Sequence, residues 1–461
     1  MQGGRESQEQ GTSTQVEIAR TFFAPRLLML RSSGLNFLLR LASLAGKFGL
    51  SLYMARFMSL DDLGLYGLIF SVVMLAVTFF GGRIDYYLTR LIVTNDEGVS
   101  FKLLRDQSAF LVLNYLLSIP LLIAGNRLFP GSTLLLSLTG LICWLESYGN
   151  FLFVNTNFIG KSVLANVAFF VRSGLWSMLV IALGVAFPAL RSLWFVLALW
   201  ATASALSIAL NLSFLNFVRW PGVRSVPIDW GQIRSVLRRS LPIWIGSIGL
   251  IGGSYLDRFV LGAFLDLKAV GLATFYTSLT SAVVTLATSS ALAVAAPRLI
   301  SSAERRDSIE YKQELRRAAL SVTAIGAVLS LAIALAIPYF AAAIHKPEIG
   351  ENMLAVWLLM AAVVVRLVAE TAYFGLYARH KDRAVWAGNI GFLFVSLLLN
   401  LILVPPLGLT GLGVASFIAT VVLLALRRGG LRSLPNEAVR LGRQPRCVRV
   451  STQAWRGSAP T

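Results

Sequence analysis

Six polar residues, Ser32, Asn36, Arg40, Ser43, Lys47 and Ser51, recur at steps of four and three through an otherwise apolar stretch. At 3.6 residues per turn they share one face of a helix. Two of them are cations, and the chemistry such a face could do is to hold an anion away from bulk water. Arg40 lies about 10 Å into the apolar stretch, within reach of a head-group region by snorkelling, whereas Lys47 lies about 20 Å in, past its middle. A face of this kind belongs against a water-filled cavity or another polar surface rather than lipid. Four further ionisable groups lie in apolar blocks. Arg366 and Glu370 stand at i, i+4, close enough to neutralise each other and lock helices, or to meet a substrate or coupling ion. Glu146, with Ser147 and Asn150 near it, is their rough counterpart earlier in the chain, and Arg172 is its candidate partner. Asp257-Arg258 sits near the end of a block, where a structural ion pair close to water is the expected reading. Buried carboxylates titrate readily, which makes Glu146, Glu370 and Asp257 the candidates for ion coupling.

Other chemistries find no residues. Gly46-Lys47 resembles the end of a phosphate-binding loop, but that motif requires Gly at 41 and Ser or Thr at 48, where the chain has Leu41 and Phe48. The two histidines, His345 and His380, fall in loops on opposite sides, which argues against a zinc site or a catalytic triad. Cys143 and Cys447 suggest neither a disulfide framework nor a thiolate site. No catalytic residue, metal or cofactor is assigned, and the chain is not expected to be an enzyme.

The elements that must position these groups are membrane spans. Of 461 residues, 56% are hydrophobic and 14% charged, against about 25% charged in an ordinary soluble chain. The mean hydropathy is +0.72. The apolar residues come in blocks about 20 residues long, the length that crosses a hydrocarbon core about 30 Å thick. The blocks give spans near 33–57, 64–82, 107–125, 131–154, 163–187 and 191–217. After a basic stretch come 240–264, 269–296, 317–340, 351–377, 384–404 and 408–427. The expected fold is an all-α polytopic membrane protein of about twelve transmembrane helices in two six-helix bundles. Residues 1–32 form a cytoplasmic tail in this scheme, with Phe22–Leu30 able to lie on the membrane surface and no cleavable signal peptide. Residues 33–217 are the first bundle, 218–239 a basic cytoplasmic linker, 240–427 the second bundle and 428–461 a basic cytoplasmic tail.

The net charge of +19 would suggest nucleic acid in a soluble protein. Here roughly three quarters of the 41 Lys and Arg fall in tails and loops on one side, as the positive-inside rule requires. Both termini are therefore expected to be cytoplasmic, and the charge faces anionic membrane lipids rather than nucleic acid. The opposite loops are short and leave no room for a catalytic domain. The chain also repeats itself: Phe57, Leu60, Gly64 and Leu65 match Phe264, Leu267, Gly271 and Leu272 at an offset of 207. With six spans in each half the repeats are parallel, an architecture with its substrate site between the halves.

Leu41-Ala42-Ser43-Leu44-Ala45-Gly46-Lys47, Ala55-Arg56-Phe57 and Asp62-Leu63-Gly64-Leu65-Tyr66 together resemble the opening of the polysaccharide and O-antigen flippases. These belong to the multidrug/oligosaccharidyl-lipid/polysaccharide (MOP) exporter superfamily, whose fold is MATE-like. Leu241-Pro242, Tyr255-Leu256-Asp257-Arg258-Phe259-Val260-Leu261-Gly262 and Val270-Gly271-Leu272 look like the same family's pattern at its second half. The resemblance implies two six-helix bundles that alternate access, in a cell (inner) membrane. It implies a polyprenyl-pyrophosphate-linked oligosaccharide as substrate and polysaccharide assembly enzymes as partners. Arg40, Lys47, Asn36, Ser43, Glu146, Arg172, Arg366 and Glu370 are then the candidates to line the central cavity. The rival readings are a drug or metabolite exporter of the same superfamily, for which acidic binding residues are expected, and a membrane polysaccharide polymerase or ligase. A membrane scaffold without transport is a third.

Overall fold

A computed structural model describes residues 34–84, 97–128, 132–216, 227–305 and 307–432. Residues 1–33, with the segment Phe22–Leu30, lie outside the described residues, as do 218–226 of the linker and 433–461 of the second tail. All regular structure among the described residues is helical. The first half comprises α1 (Gly34–Phe57), α2 (Leu60–Gly81), α3 (Glu97–Leu128), α4 (Thr133–Phe158), α5 (Ser162–Ala186) and α6 (Leu193–Asn216). In the second half α7 (Trp230–Tyr255) continues after a kink as Asp257–Phe264. The next helix, α8, runs as Leu267–Ala287, a π turn Thr288–Leu292 and Ala293–Glu304. It is followed by α9 (Ser308–Ile344) and α10 (Met353–Ala378). The last helical run, Asp382–Arg432, breaks at Gly408 with φ 57° and ψ −133°. Pro405 and Pro406 lack the N–H groups a continuous helix needs, and glycine alone adopts that turn without strain. The run therefore supplies two spans, α11 (382–407) and α12 (409–432).

Nine helices among the described residues, counting Asp382–Arg432 once, are long and apolar enough to cross a membrane. The chain is a multi-pass membrane protein. Its helices reverse at short connections punctuated by caps. The Ser59 hydroxyl accepts from the Asp62 N–H at 3.0 Å, and Asp62 answers by accepting from the Ser59 N–H at 3.4 Å, a capping box that starts α2. Asp229, Asp266 and Asp307 cap α7, α8 and α9 by the simpler route, each carboxylate accepting from backbone N–H groups of its helix's first turn. Helices α3, α7 and α9 begin about ten residues before the apolar blocks that announced them. Hydropathy registers only the hydrocarbon segment, whereas an amphipathic helix continues into the interface with its backbone bonds intact. The linker expected over 218–239 thus gives way to helix at Trp230.

Among the described residues the halves meet at both ends of the bundle. The end at which α1 begins and α12 finishes is proximal and the other distal. At the distal end α2 meets α8 backbone to backbone. A Cβ on Gly64 would run into the Leu267 carbonyl oxygen, and one on Gly271 into the Leu60 carbonyl oxygen. These are the residues of the 207-residue repeat, so each copy of the motif is packed against the other. Small residues permit this approach. Leu60, Leu63 and Tyr66 of α2 and Leu272, Phe275 and Tyr276 of α8 belong to one buried cluster that runs through both halves. At the proximal end the opening turns of α7 cross onto the first half, where Ile233 and Val236 pack with Leu103, Leu104, Phe151 and Leu152 of α3 and α4. The Trp244 indole donates to the carbonyls of Thr78 and Phe79 at 3.1 and 3.0 Å, the last turn of α2, where helical carbonyls lack partners.

Candidate functional site

The polar face of α1 lies against α5. The Asn36 amide donates to the Ser162 hydroxyl at 3.4 Å, and Arg40 Nε donates to Asn166 Oδ1 at 3.0 Å. Ser43 and Ser51 are buried and bond back to the carbonyls of Leu39 and Lys47. Gly46 faces Gly174 and Ser177 so closely that a Cβ would meet the Gly174 carbonyl oxygen at 2.8 Å. Arg40 is exposed and Lys47 half-buried. Lys47 differs from the rest of the face. Its Nζ rests over the Phe70 ring of α2, 5.9 Å from the centroid, and it forms no ion pair among the described residues. Glu146 and Arg172 lie within its Coulombic reach.

Those two residues form a buried knot in the first half. Arg172 Nη1 is 2.9 Å from Glu146 Oε2 and also donates to the Glu146 carbonyl at 2.7 Å. Glu146 Oε1 accepts from Trp200 Nε1 at 2.8 Å and Ser204 Oγ at 2.9 Å, both from α6. Local sequence explains the fit. Arg172 occurs in the π turn Val171–Leu175, which shifts it off the regular α5 face, and Gly149 leaves room where a Cβ would strike Arg172 Cδ at 2.8 Å. Trp176, one turn on, stacks on Trp200 at 5.5 Å and 5°. A buried pair is tolerable only when its remaining hydrogen-bonding capacity is met, and Trp200 and Ser204 meet it for the carboxylate.

The second half has a related knot on α10. Arg366 Nε donates to Glu370 Oε1 at 2.9 Å, and Arg427 Nη1 reaches the same oxygen at 3.3 Å. Arg427, wholly buried at the end of α12, also donates to the Ala369 carbonyl and to Asn389 Oδ1 of α11. One carboxylate thus serves two arginines. Arg366 leans over the Phe392 ring at 5.5 Å, and it lies within Coulombic reach of Tyr255 on α7.

Tyr255 stands at the α7 kink beside Asp257-Arg258. Both charged residues are buried, in contrast to the water-accessible pair expected for them. The Tyr255 ring meets Phe70 at 6.0 Å, and Phe70 meets Trp200 at 6.1 Å. An aromatic bridge therefore runs across the halves, with Lys47 on one side and Arg258 on the other.

The family can be read at this point. Residues 29–303, more than half of the chain, match the family of polysaccharide biosynthesis proteins. The chain belongs to that family. No curated protein sequence matches it. Among solved structures, the lipid II flippase MurJ in an inward closed conformation is similar with a TM-score of 0.66 at 12% identity, covering 87% of this chain and 88% of that one. A multidrug resistance MATE family transporter of the MOP superfamily is similar in its inward-facing conformation, with a TM-score of 0.59 at 16% identity over 84% of this chain and 96% of that one. Its outward-facing conformation gives 0.58 at 18% identity over 87% and 95%. At these identities the likeness establishes the fold, and the MATE-like architecture with it.

Several members of the site gave no sequence signal of their own. Arg427 heads a run with Arg428 that reads as a basic flank, yet it is drawn inside by Glu370. Trp200 reads as an interfacial anchor and instead donates to Glu146. Asn389 is a lone polar residue near the start of an apolar block, with no sequence feature that marks it. What could have found Arg427 is charge arithmetic: Glu370 is the acid of its span, and a buried arginine in a neighbouring helix needs an acid beside it.

Proposed function

We propose that this polysaccharide biosynthesis family member is a transporter that turns a polyprenyl-pyrophosphate-linked oligosaccharide from the cytoplasmic to the outer leaflet. The observation that carries the reading is Lys47, a cation near the middle of a span, with no carboxylate of its own and a place beside the aromatic bridge between the halves. A lipid-borne anion has to cross about 30 Å of hydrocarbon. A fixed cation at half depth offsets part of its desolvation, because charges attract more strongly where the dielectric is low. Acidic groups in the same region, Glu146 and Glu370, each hold arginines, which leaves a positive balance and disfavours cationic drugs. The two halves, touching through the α2–α8 and α2–α7 contacts, would rock to open one end at a time. The prenyl chain stays in lipid while the sugar passes between the bundles. In this reading the protein lies in the cell (inner) membrane with both termini cytoplasmic and delivers substrate to polysaccharide assembly enzymes.

The test is translocation of a labelled polyprenyl-pyrophosphate oligosaccharide in proteoliposomes, with wild type, Lys47→Ala and Arg40→Ala compared. Translocation by wild type that falls at least tenfold in a well-folded Lys47→Ala protein is expected, with a smaller loss for Arg40→Ala because Arg40 is already held by Asn166. Absence of translocation across several oligosaccharides, with export of an amphiphilic drug instead, would overturn the reading.

A further inference from the structure

At the distal end of the first half, two arginines close on one ring. Arg56, next to last in α1, sets its guanidinium carbon 5.3 Å from the Phe57 ring centroid, and Arg191, in the connection from α5 to α6, sets its own 4.6 Å from the same centroid. Neither meets a carboxylate among the described residues. Arg191 Nε donates to the Gly184 carbonyl at 2.8 Å, in the last turn of α5, while its two Nη groups take no partner among those residues. Arg56 is exposed and Arg191 half-buried. Tyr53, one turn before Phe57, packs its ring on Phe57 at 5.4 Å and is only 4% exposed. Its hydroxyl is buried without a hydrogen-bond partner, and Arg191 lies within its Coulombic reach.

The fold does not require this cluster. At the 207-residue offset Phe57 recurs as Phe264, but Arg56 becomes Ala263 and Tyr53 becomes Val260. The connection from α11 to α12, around Pro405–Gly408, carries no basic residue where the first half has Arg191. Other distal charge is balanced within the protein, as Lys268 is by Glu348 at 3.0 Å. Cations on the side away from the basic loops run against the charge bias of membrane proteins, and two set on one ring repel unless an anion joins them. The surroundings indicate what carries that anion. Val185, Phe187 and Trp194, close to Arg191 in the chain, are exposed, an apolar surface suited to acyl chains, with a tryptophan of the kind that marks head-group level. This α5–α6 corner packs within the first half, on its flank and away from the contact between the halves.

We propose that Arg56, Arg191 and Tyr53 form a site for the head-group phosphate of an anionic phospholipid at the distal membrane surface, with its acyl chains along the exposed flank of Val185 and Phe187. A phosphodiester shares one negative charge between two unesterified oxygens, and the paired Nη groups of an arginine match those oxygens two to two. The bond to Gly184 holds Arg191 in place for this. Arg56, being exposed, swings onto the same phosphate, and the Tyr53 hydroxyl gains the acceptor it lacks. Two arginines outweigh one phosphate, so a lipid of net negative charge is preferred over a zwitterionic one, whose choline brings a further cation to the cluster. The occupant is a lipid of the surrounding leaflet, since the corner lies off the path between the halves. Once seated, it ties the end of α1 to the α5–α6 connection.

The site is tested on the purified full chain in phosphatidylcholine nanodiscs doped with phosphatidylglycerol that carries a diazirine on its acyl chain near the glycerol. After illumination and digestion, label is quantified in peptides containing residues 53–57 and 184–194. Wild type is expected to label both at low doping and to lose the label to unmodified phosphatidylglycerol, but not to added phosphatidylcholine, farnesyl phosphate or inorganic phosphate. Arg191→Gln and Arg56→Gln should each cut the labelling about fivefold, with Arg191→Lys retaining part of it because the charge stays and the paired donors go. Tyr53→Phe should reduce it about twofold, the worth of one neutral hydrogen bond. Arg56 is exposed, so Arg56→Gln remains informative if Arg191→Gln does not fold. Arg127→Gln, at another exposed distal arginine, should leave the labelling unchanged. Wild-type labelling in a folded Arg56→Gln protein would overturn the site, as would an equal loss in Arg127→Gln or equal competition by phosphatidylcholine. Competition by farnesyl phosphate stronger than by phosphatidylglycerol would also overturn it, by assigning the cluster to a prenyl phosphate. None of these results bears on translocation, which is measured separately.

Discussion

Each half carries one carboxylate on its fourth helix, buried in the first and half-buried in the second, and ties it to the two helices that follow, yet the charges are counted differently. Glu146 of α4 meets a single arginine, Arg172 of α5, and draws its other hydrogen bonds from Trp200 and Ser204 of α6. Glu370 of α10 meets two, Arg366 of its own helix and Arg427 of α12, with Asn389 of α11 accepting from the second. The first knot is neutral, and its carboxylate is fully bonded. The second keeps an extra positive charge, and Arg366, whose side chain is 23% exposed, is the member able to present it. The same topology has therefore been put to two uses, a lock in one half and a charged surface in the other.

Deleting single charges separates the two uses. Glu146→Gln strands Arg172 and Arg172→Met strands Glu146, so each is expected to cost about 3–5 kcal/mol. In the second half the effects should diverge. Glu370→Gln leaves the wholly buried Arg427 without a counter-charge and should cost about as much. Arg427→Met leaves Arg366 and Glu370 as a neutral pair and should cost less than about 1.5 kcal/mol. Thermal unfolding of the four purified proteins ranks them directly. If Arg427→Met proves as damaging as Glu370→Gln, the second knot is a balanced lock as well, and the contrast between the halves fails.

The α2–α8 contact is where the halves should behave alike. Gly64 and Gly271 each face the other helix's carbonyl at a distance no Cβ can share, whereas Gly429 of α12 has open space around its Cβ position. Gly64→Ala and Gly271→Ala are therefore expected to destabilise by similar amounts, about 1–3 kcal/mol each. Gly429→Ala should be neutral or slightly stabilising, since alanine favours helix. Unequal losses at Gly64 and Gly271 in thermal unfolding would mean that the repeat is symmetric in sequence without being so in load.

The helical class, the multi-pass architecture and the repeated motif were legible in the sequence because each rests on patterns that lipid enforces: block length and a motif recurring at one offset. The polar face of α1 was legible for the same reason, and α5 supplies the polar surface that most of it packs against. The pairing of Arg172 with Glu146 could be named from their shared bundle, but not the roles of Trp200 and Ser204, since neutral donors in apolar helices look like anchors or helix glue. Asp257-Arg258 reads as lying near water because depth along a span says nothing of what packs around it, and both are buried in protein. Arg427 was hidden by its neighbours: a basic residue at the end of an apolar block reads as a flank unless its acid is known. Sequence reports which charges sit at membrane depth; the third dimension decides which of them are cancelled.

Trp244 marks the place where the two halves should differ most in motion. Its indole donates to two carbonyls at the end of α2 and its ring meets Phe79 at 5.6 Å, which pins the proximal α2–α7 contact. The equivalent position 207 residues earlier is Phe37, which has no N–H to donate and is 53% exposed. Trp244→Phe makes the second half resemble the first at this position. The lost hydrogen bonds predict a cost of about 0.5–1.5 kcal/mol, too small to unfold the bundle but enough to loosen one contact. A cysteine placed at Ser240, wholly buried on α7, in a background with Cys143 and Cys447 replaced by serine, reports that loosening through its maleimide labelling rate. Labelling severalfold faster in Trp244→Phe than in the parent is expected. An unchanged rate would show that ring packing against Phe79 alone holds the contact, and that the difference between Trp244 and Phe37 has no bearing on which side of the protein opens.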